Sequence, residues 1–291
     1  MWRRNAEQAF HNLAAAKLRS FLAVLGILVG TAAIVALISS GELATEKALQ
    51  EFKALGTDLM AVTTFSSEES SQSGRNEIPL RFWRHIPQEL PDILAIAPYG
   101  VAYQPISFQG HILQGPIIGA DESLASILHL NLEAGFFVSF LNSYEQVCVI
   151  GSTIAQELKK ISVKAPIGSS LRIGQSLYRI IGVLKPWQEN GFFNEDINQA
   201  IIVPVSGLIV INKNTKISNA IMRLKPDSSI DPLIEKLKQL ITTAAPKLNV
   251  FARSAKQIIA SMESQGRIFT LLLGVIGGIS LLVGGIGIMN V

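Results

Sequence analysis

The chain has 291 residues, of which 48% are hydrophobic and 16% are charged, and its mean hydropathy is +0.36. Its net charge of +3 resides in residues 1–19, and the basic and acidic residues of the remaining chain balance. This distribution argues against a nucleic-acid-binding face. The single cysteine, Cys148, excludes an internal disulfide framework, and its apolar neighbours favour a buried thiol.

Residues 1–19 are predicted to form an amphipathic helix on the cytoplasmic surface of a membrane. Apolar residues recur there at three- and four-residue spacing, with basic residues beside them, which suits a helix that lies in the lipid interface. The candidate interfacial residues are Trp2, Arg3, Arg4, Phe10, Lys17 and Arg19. A frayed cytoplasmic tail is the alternative.

Residues 20–41 contain no charged side chain and are predicted to form a transmembrane helix. About 20 residues of helix cross a hydrocarbon layer of about 30 Å. The basic leader places the N-terminus in the cytoplasm and residues 42–267 outside it. A cleaved signal peptide is the alternative, but the leader and the apolar run are long, and residues 39–44 form no clear cleavage site.

The first part of the region outside the membrane combines predicted helices and strands. A helix continues from residue 42 to Gly56, which suits a helix C-terminus. The following predicted elements are a strand at 58–65, a polar serine-rich loop at 66–77, a helix at 80–91, and two strands or one bent strand at 92–108.

Strand and helix patterns continue to alternate through the middle of the chain. The predicted elements are a strand at 111–120, a helix with Asp121 as its N-cap, a strand and a helix at 146–160, two strands around Gly174 at 169–186, and a strand running into a helix at 199–211.

A strand–helix–strand pattern closes this region between residues 217 and 254. The helix is predicted to begin with Asp231 as N-cap and Pro232 as its first residue. Its apolar stripe is predicted to comprise Leu233, Leu237, Leu240, Ile241 and Ala244. Residues 58–103 show the same order. Two such units on either side of a middle insertion predict an α+β fold with two subdomains, one of which is discontinuous in sequence.

Residues 268–291 again contain no charge and are predicted to form a second transmembrane helix. Each apolar stretch carries two glycines at four-residue spacing, Gly26 with Gly30 and Gly274 with Gly278. Small residues at this spacing let helix backbones approach closely in lipid, so these glycines are candidate helix-packing residues. Because neither stretch holds a charge, an intramembrane ion relay is not expected.

Several kinds of chemistry have no motif in the sequence. There is no phosphate-binding G-x-x-x-x-G-K-[ST] loop and no G-x-S-x-G nucleophile elbow, and the four histidines lack metal-ligand spacing. We therefore expect a non-catalytic chain that has no metal site and no cofactor of its own.

Several segments together resemble a known family. Residues 12–42 are similar to the first transmembrane segment of MacB-type ABC transporter permeases, which belong to the FtsX-like superfamily. Further similar segments follow in the same order, namely LQEFKALGTDLMAV, VCVIGSTIAQEL, PIGSSLRIGQSLYRIIGVLKP and AIIVPVS. The stretch LLLGVIGGISLLVGGIGIMNV resembles the second transmembrane segment of the family.

The resemblance implies a membrane protein in which two transmembrane helices flank an extracytoplasmic domain. A porter-like part of βαβ units would comprise residues of about 42–108 and 217–267, and a mainly β subdomain of about 109–216 would be inserted into it. The family has two more spans and a cytoplasmic coupling helix, which residues 1–291 do not include. The sequence is therefore expected to be a piece of a longer permease or a naturally shortened one.

The resemblance also implies an efflux function in the inner membrane. Permeases of this type work as homodimers, with ATP used by a cytoplasmic ABC ATPase that is expected here on a separate chain. Their periplasmic domains act with an adaptor (membrane fusion) protein and an outer-membrane channel. Alternatives are a lipoprotein-releasing permease of similar layout and, in a different class, a two-span sensor with an extracytoplasmic ligand domain.

Overall fold

A computed structural model describes most of the chain outside its N-terminal region. The described residues are 28, 31–32, 35–43, 46–47, 56–66, 78–162, 165–188, 192–213 and 215–289, with side chains up to residue 279. The chain divides into two compact units, Met1–Gln50 with Ile259–Val291, and Glu51–Ile258. The predicted interfacial helix, Gly26 and Gly30 lie outside the described residues. So does the predicted loop at 66–77 apart from Ser66, which ends a strand.

The described part of the unit Glu51–Ile258 alternates strands and helices. Its strands are β1 (Leu59–Ser66), β2 (Ile93–Ala102), β3 (Ile106–Phe108), β4 (His111–Leu113), β5 (Ile117–Ala120), β6 (Leu132–Gly135), β7 (Val147–Ile150), β8 (Ser170–Ile173), β9 (Ser176–Leu184), β10 (Ile201–Pro204), β11 (Asn219–Leu224) and β12 (Leu248–Ser254). The helices are α1 (Leu80–Glu89), α2 (Glu122–Leu128), α3 (Ser152–Ile161), α4 (Val205–Ile211) and α5 (Ile230–Ala244), after which α6 (Ala255–Met289) passes into the other unit.

The two predicted strand–helix–strand units are interleaved in one sheet. The strand order is β12-β1-β11-β2, and every neighbouring pair is antiparallel. The strands of each unit are therefore separated by a strand of the other, which is the β-α-β-β-α-β order of ferredoxin-like folds. This pairing explains how segments about 120 residues apart form one body.

Helices α1 and α5 cover one face of this sheet. Their apolar stripes bury Trp83 on α1 and Leu237 on α5 against alternate strand residues such as Met60, Val62 and Met222. Side chains alternate between the faces of a strand, so every second residue enters this core. The predicted stripe on α5 is confirmed at Leu233, Leu237 and Ile241.

The predicted start of α5 was wrong by two residues. The helix begins at Ile230 after Ser229, so Asp231 and Pro232 lie within its first turn. The Asp231 carboxylate does not cap the helix but accepts a hydrogen bond from Gln257 Nε2 at 2.8 Å. The carboxylate thus bonds to a side chain that is distant in the sequence, whereas the pattern suggested a bond to the backbone amides of its own helix.

The middle of the chain extends the same sheet. From Gly100 onward β2 pairs with β5, and the order continues β5-β10-β7-β9-β8-β3-β4, with β6 paired to β9. The pairs β5–β10 and β7–β9 are parallel. A second core forms here around residues including Ile117, Cys148 and Tyr178. The insertion, which was predicted to be mainly β, contains the helices α2, α3 and α4 beside its strands and is thus a mixed α/β structure.

Residues 111–120 form two short strands where one was predicted. The break falls at Gly115 and Pro116, between β4 and β5. A side chain at Gly115 would collide with the carbonyl oxygen of Gln199, so the chain bends closely against a neighbouring segment. The other open alternative, residues 92–108, resolves into the two strands β2 and β3.

In the described part of the chain, no helix meets the length and hydropathy that a membrane crossing requires. Most of residues 20–41, and all side chains beyond residue 279, lie outside that part. The predicted transmembrane helices at 20–41 and 268–291 therefore stay predictions. The same holds for the predicted division of the chain at residues 19, 41 and 267.

Candidate coupling and docking sites

The chain enters and leaves the unit Glu51–Ile258 at what we call the base of the domain. We define the base as residues 56–59, 223–231 and 254–257. On the entering side, Gly56 adopts a φ of 104°, which favours glycine. Two residues later the Asp58 carbonyl oxygen accepts a hydrogen bond from the Leu224 amide at 2.7 Å. The entering chain is thus fastened to the end of β11.

The leaving side of the base is fastened to the connection that follows β11. Ser254 and Gln257 form a reciprocal capping box at the start of α6, because each side chain bonds to the backbone amide of the other. The Lys256 ammonium donates to the Pro226 carbonyl oxygen, and Gln257 donates to Asp231. The entering chain and the leaving chain therefore both contact residues 224–231.

Arg223 connects the base to helix α2. Its guanidinium lies 3.5 Å from the Asp58 carboxylate and donates to the Ile127 carbonyl oxygen at 2.9 Å. The same guanidinium lies 3.3 Å from Nε2 of His129. Three-quarters of the Arg223 side chain is buried, and a cation is favourable at the C-terminus of a helix.

A second bond to the C-terminus of α2 comes from the segment 187–198. The Trp187 indole donates to the Leu128 carbonyl oxygen at 3.1 Å, while the Asn198 amide bonds to both backbone groups of Trp187 at 2.8 Å. Phe193 packs against the rings of Tyr99 and Trp187. Burial, with a smaller contribution from Glu195, raises the pKa of the Tyr99 hydroxyl.

The N-terminus of α2 is held by charged groups. Asp121 is the N-cap, as predicted, and accepts from the amide and the hydroxyl of Ser123. Its other carboxylate oxygen lies 3.1 Å from Arg84 of α1. Glu122 accepts the amide of Phe140 at 2.9 Å, and the Arg84 guanidinium lies 5.5 Å from the centre of the Phe140 ring.

An exposed apolar patch lies in the segment that α2 holds in this way. We define the apolar patch as Phe136, Phe140, Leu141 and Tyr144, whose exposed fractions range from 60% to 101%. The Ser206 hydroxyl of α4 donates to the Ser143 carbonyl oxygen at 2.6 Å. Exposed apolar clusters commonly mark interaction sites, so this patch is a candidate docking surface.

The helix α2 therefore joins the base to the apolar patch. It has seven residues, or about 10 Å of helix. Its last turn receives Arg223 and Trp187, and its first turn receives Arg84 and Phe140. Of these contacts the sequence indicated only the Asp121 cap, because the others join residues far apart in the chain.

Two of the predicted helix-packing residues lie in the described part of the chain. Gly274 and Gly278 face open space, with no atom of that part within 4 Å of where a Cβ would stand. Their packing role stays a prediction. Cys148 is buried, as predicted, and burial raises the pKa of its thiol.

Comparison with known proteins identifies the family. A family model described as the MacB-like periplasmic core domain matches residues 20–240, about three-quarters of the chain. The chain belongs to this family. The MacB-like domain is the periplasmic-type domain of an ABC transporter permease, which confirms the resemblance seen in the sequence.

Relatives of this MacB-like chain are longer proteins that are named as ATP-binding/permease proteins. It is 28% identical to a protein of Aeromonas hydrophila named macrolide export ATP-binding/permease protein MacB 2, over 100% of this chain and 45% of the relative. It is 27% identical to the MacB protein of Bdellovibrio bacteriovorus, over 98% of this chain and 45% of the relative. The chain thus spans less than half the length of these curated relatives.

Solved structures support the fold of the MacB-like domain. The periplasmic region of MacB from Actinobacillus actinomycetemcomitans superposes with a TM-score of 0.57 at 16% identity, over 75% of this chain and 98% of that one. The extracellular domain of the ABC-type transporter YknZ from Gram-positive bacteria superposes with a TM-score of 0.54 at 13% identity, over 66% of this chain and 99% of that one.

Proposed function

We propose that this chain is the membrane and extracytoplasmic portion of an ABC exporter permease, and that it couples ATP hydrolysis by a partner ATPase to substrate export. The proposal draws on family membership and on relatives that are named as export permeases. The observation that carries the coupling role is the continuous set of bonds from the base through α2 to the apolar patch.

The chain lies in the inner membrane, which it crosses as two helices, residues 20–41 and 268–291. Residues 42–267 are extracytoplasmic. The permease works as a homodimer whose spans pack at Gly26, Gly30, Gly274 and Gly278. No described residue lies within 4 Å of the Cβ position of Gly274 or Gly278, which leaves room there for a partner helix. Residues 1–19 rest on the cytoplasmic lipid surface.

Movement of the spans would reach the domain through the base. Asp58 and Gln257 flank the two places where the chain passes toward its predicted spans, and both are bonded to residues 223–231. Since Arg223 binds both Asp58 and the last turn of α2, a shift of the entering chain would be passed to α2. Coupling is carried by packed and hydrogen-bonded networks of this kind.

The apolar patch is proposed as the surface that binds the periplasmic adaptor protein. The backbone amide of Phe140 is bonded to Glu122 of α2, so a shift of α2 would alter the presentation of this surface. An outer-membrane channel would complete the export path. ATP is bound by the cytoplasmic ABC ATPase, and this chain contributes no catalytic residue and no cofactor.

The test is ATP hydrolysis in proteoliposomes that contain the purified chain and an ABC ATPase from the same host. We expect hydrolysis by the ATPase to depend on the permease chain, and Arg223→Met to weaken that dependence while Arg179→Met, a change at an exposed arginine, does not. The purified chain alone should hydrolyse no ATP. Hydrolysis by the chain alone, or an ATPase indifferent to it, would contradict the proposal.

A further inference from the structure

A pocket of about 560 Å³ lies at the end of the antiparallel sheet β12-β1-β11-β2 that is opposite the base. We call it the crest pocket, and its lining comprises residues 64–66, 78, 101–103, 212, 215–218 and 248. These include the last residues of β1 and β2 and the first residue of β12. Small-molecule sites in proteins have about 300–1000 Å³, so an organic ligand of ordinary size fits.

The crest pocket lies where the chain crosses between the two parts of the domain. The chain passes into the insertion after β2, which ends at Ala102, and returns to β11 after α4, which ends at Ile211. Residues from both crossings line the pocket. Ligand sites occur preferentially at boundaries between domains, so this position favours a binding site.

The buried part of the lining is apolar, and aromatic side chains belong to its exposed part. Ile78, Ile217 and Leu248 are at most 8% exposed. Phe65 and Tyr103 are 52% and 71% exposed, so both rings remain accessible to a ligand.

Two hydroxyl groups of the lining already donate their hydrogen and are left to accept. Thr64 Oγ1 donates to the Ser218 carbonyl oxygen at 3.0 Å, and the Tyr103 hydroxyl donates to the Glu195 carboxylate at 3.3 Å. A hydroxyl group has one hydrogen and two lone pairs, so each of these oxygens can accept from a ligand but cannot donate to it.

Two other hydroxyl groups of the lining can donate. The Ser218 hydroxyl oxygen accepts from the Asn219 side-chain amide at 3.2 Å, which leaves its hydrogen for a ligand. No described residue bonds to the Thr215 hydroxyl, which can both donate and accept. Among the described residues of the lining, Lys216 carries the only charge. The crest pocket thus offers neutral donors and acceptors together.

We infer that the crest pocket binds a neutral saccharide, whose hydroxyl groups bond to Thr64, Thr215 and Ser218. The C–H face of the sugar ring packs against Phe65. A sugar hydroxyl both donates and accepts, so it matches both kinds of group in the lining. An organic anion only accepts and would leave the Thr64 and Tyr103 oxygens without a donor, and an organic cation would meet a like charge. Polar groups that lose water without gaining a partner oppose binding.

The test is saturation-transfer difference NMR on the full chain in phosphatidylcholine nanodiscs, which contain no sugar detergent, with empty discs subtracted. The probes are the neutral disaccharides cellobiose and diacetylchitobiose, because rings with equatorial hydroxyls present a flat C–H face. We expect at least one of them to bind. Thr215→Val removes a hydroxyl at nearly constant shape and should weaken binding about two- to tenfold, the usual net contribution of one hydrogen bond. Thr243→Val, at an exposed hydroxyl of α5 outside the pocket, is the matched control and should bind as the wild type does.

A second pair of variants tests the apolar contact. Phe65→Ala should weaken binding about fivefold or more, because it removes the surface that covers the sugar ring. Phe251→Ala removes a phenylalanine that is similarly exposed, at 55%, on the neighbouring strand β12 and that does not line the pocket. It should bind as the wild type does.

Failure of both disaccharides to bind, or binding that neither pocket variant weakens, would overturn the inference. Stronger binding of glucuronate than of the neutral sugars, with its loss in Lys216→Met, would make the pocket an anion site and would also overturn it. None of these measurements involves the ATPase. A chain that binds no sugar therefore leaves the proposed function standing, and an ATPase indifferent to the chain leaves the sugar site standing.

Discussion

At the scale of single residues, Arg223 connects two elements that are distant in the chain. Its guanidinium joins the entering strand, at Asp58, to the last turn of α2, at the Ile127 carbonyl oxygen. Both partners are largely shielded from water, so removal of the guanidinium leaves a carbonyl and a carboxylate without a protein donor. An unsatisfied buried acceptor costs more than the net gain from an average hydrogen bond.

We therefore predict that Arg223→Met lowers the free energy of unfolding of the domain by about 1–3 kcal/mol. Chemical denaturation followed by tryptophan fluorescence would measure it, because Trp83 is fully buried and reports on the core. Arg179→Met, at an exposed position, is the control. A loss below about 0.5 kcal/mol, the usual range for surface changes, would show that the contacts of Arg223 are replaced by water.

A substitution of Asp121 would test the contacts at the other end of α2. Asp121→Ala removes the N-cap acceptor for the Ser123 amide and the partner of Arg84. Loss of such a cap costs about 0.5–2 kcal/mol. Asp227→Ala changes an exposed turn carboxylate and should leave the denaturation midpoint unchanged. An Asp121→Ala chain as stable as the control would mean that α2 needs no cap.

At the scale of elements, the contact between α4 and the sheet depends on two glycines. A Cβ at Gly119 on β5 would lie 2.7 Å from the Leu208 Cβ, and one at Gly100 on β2 would lie 2.6 Å from the Leu208 Cδ2. Helix α4 can approach the sheet this closely because neither strand carries a side chain there. Close-packed interiors do not absorb an added methyl group without a shift.

Substitution on the two sides of this contact should have opposite effects. Gly119→Ala would force α4 away from β5, and we predict a loss of stability of about 1–3 kcal/mol. Gly207 lies within α4, and a methyl group there would stand 3.9 Å from its nearest neighbours, Pro204 Cδ and the Tyr178 hydroxyl. Gly207→Ala should therefore raise stability by up to about 1 kcal/mol, because alanine favours helix. Thermal denaturation would measure both, and a stabilising Gly119→Ala would refute the packing argument.

At the scale of the whole molecule, the proposed function requires the domain to face away from the cytoplasm. The native thiol does not interfere with a labelling test, because Cys148 is buried and its raised pKa keeps it in the unreactive neutral form. Tyr144 of the apolar patch is fully exposed. A cysteine at that position is therefore accessible from whichever side of the membrane the domain occupies.

We predict that Tyr144→Cys reacts with a membrane-impermeant maleimide in intact spheroplasts, whereas the wild-type chain does not. Mass spectrometry of the purified chain would locate the label. Labelling of Tyr144→Cys that appears only after lysis would reverse the proposed topology. Labelling of the wild type would show that the core around Cys148 opens to solvent in spheroplasts.

The glycines of α6 lead to a prediction about the dimer. No atom of the described residues lies within 4 Å of the Cβ position of Gly278. Gly278→Leu should lower the yield of dimer cross-linking, because larger side chains keep helix backbones apart in lipid. Val275→Leu places a leucine at a neighbouring exposed position, where a large side chain already stands, and serves as the control for the leucine itself. Equal cross-linking in both variants and the wild type would mean that Gly278 does not lie in an interface.

The sequence by itself determined the elements and the family. Periodicity and capping patterns placed β1, α1, α3, β11 and the stripe of α5 correctly, because alternation and helical spacing follow from the local geometry of the chain. The prediction failed at the start of α5 and at the break between β4 and β5. In both places a distant segment, Gln257 or Gln199, supplied the deciding contact.

Only the tertiary structure decided how these elements combine into a site. Interleaved pairing brings β11 beside β1, and that register places Arg223 opposite Leu59, next to Asp58. The contacts that α2 makes with Arg223, Trp187 and Arg84 join residues that are distant in sequence. Local patterns carry no information about such pairings, because they arise when the strands choose their neighbours and bury a common core.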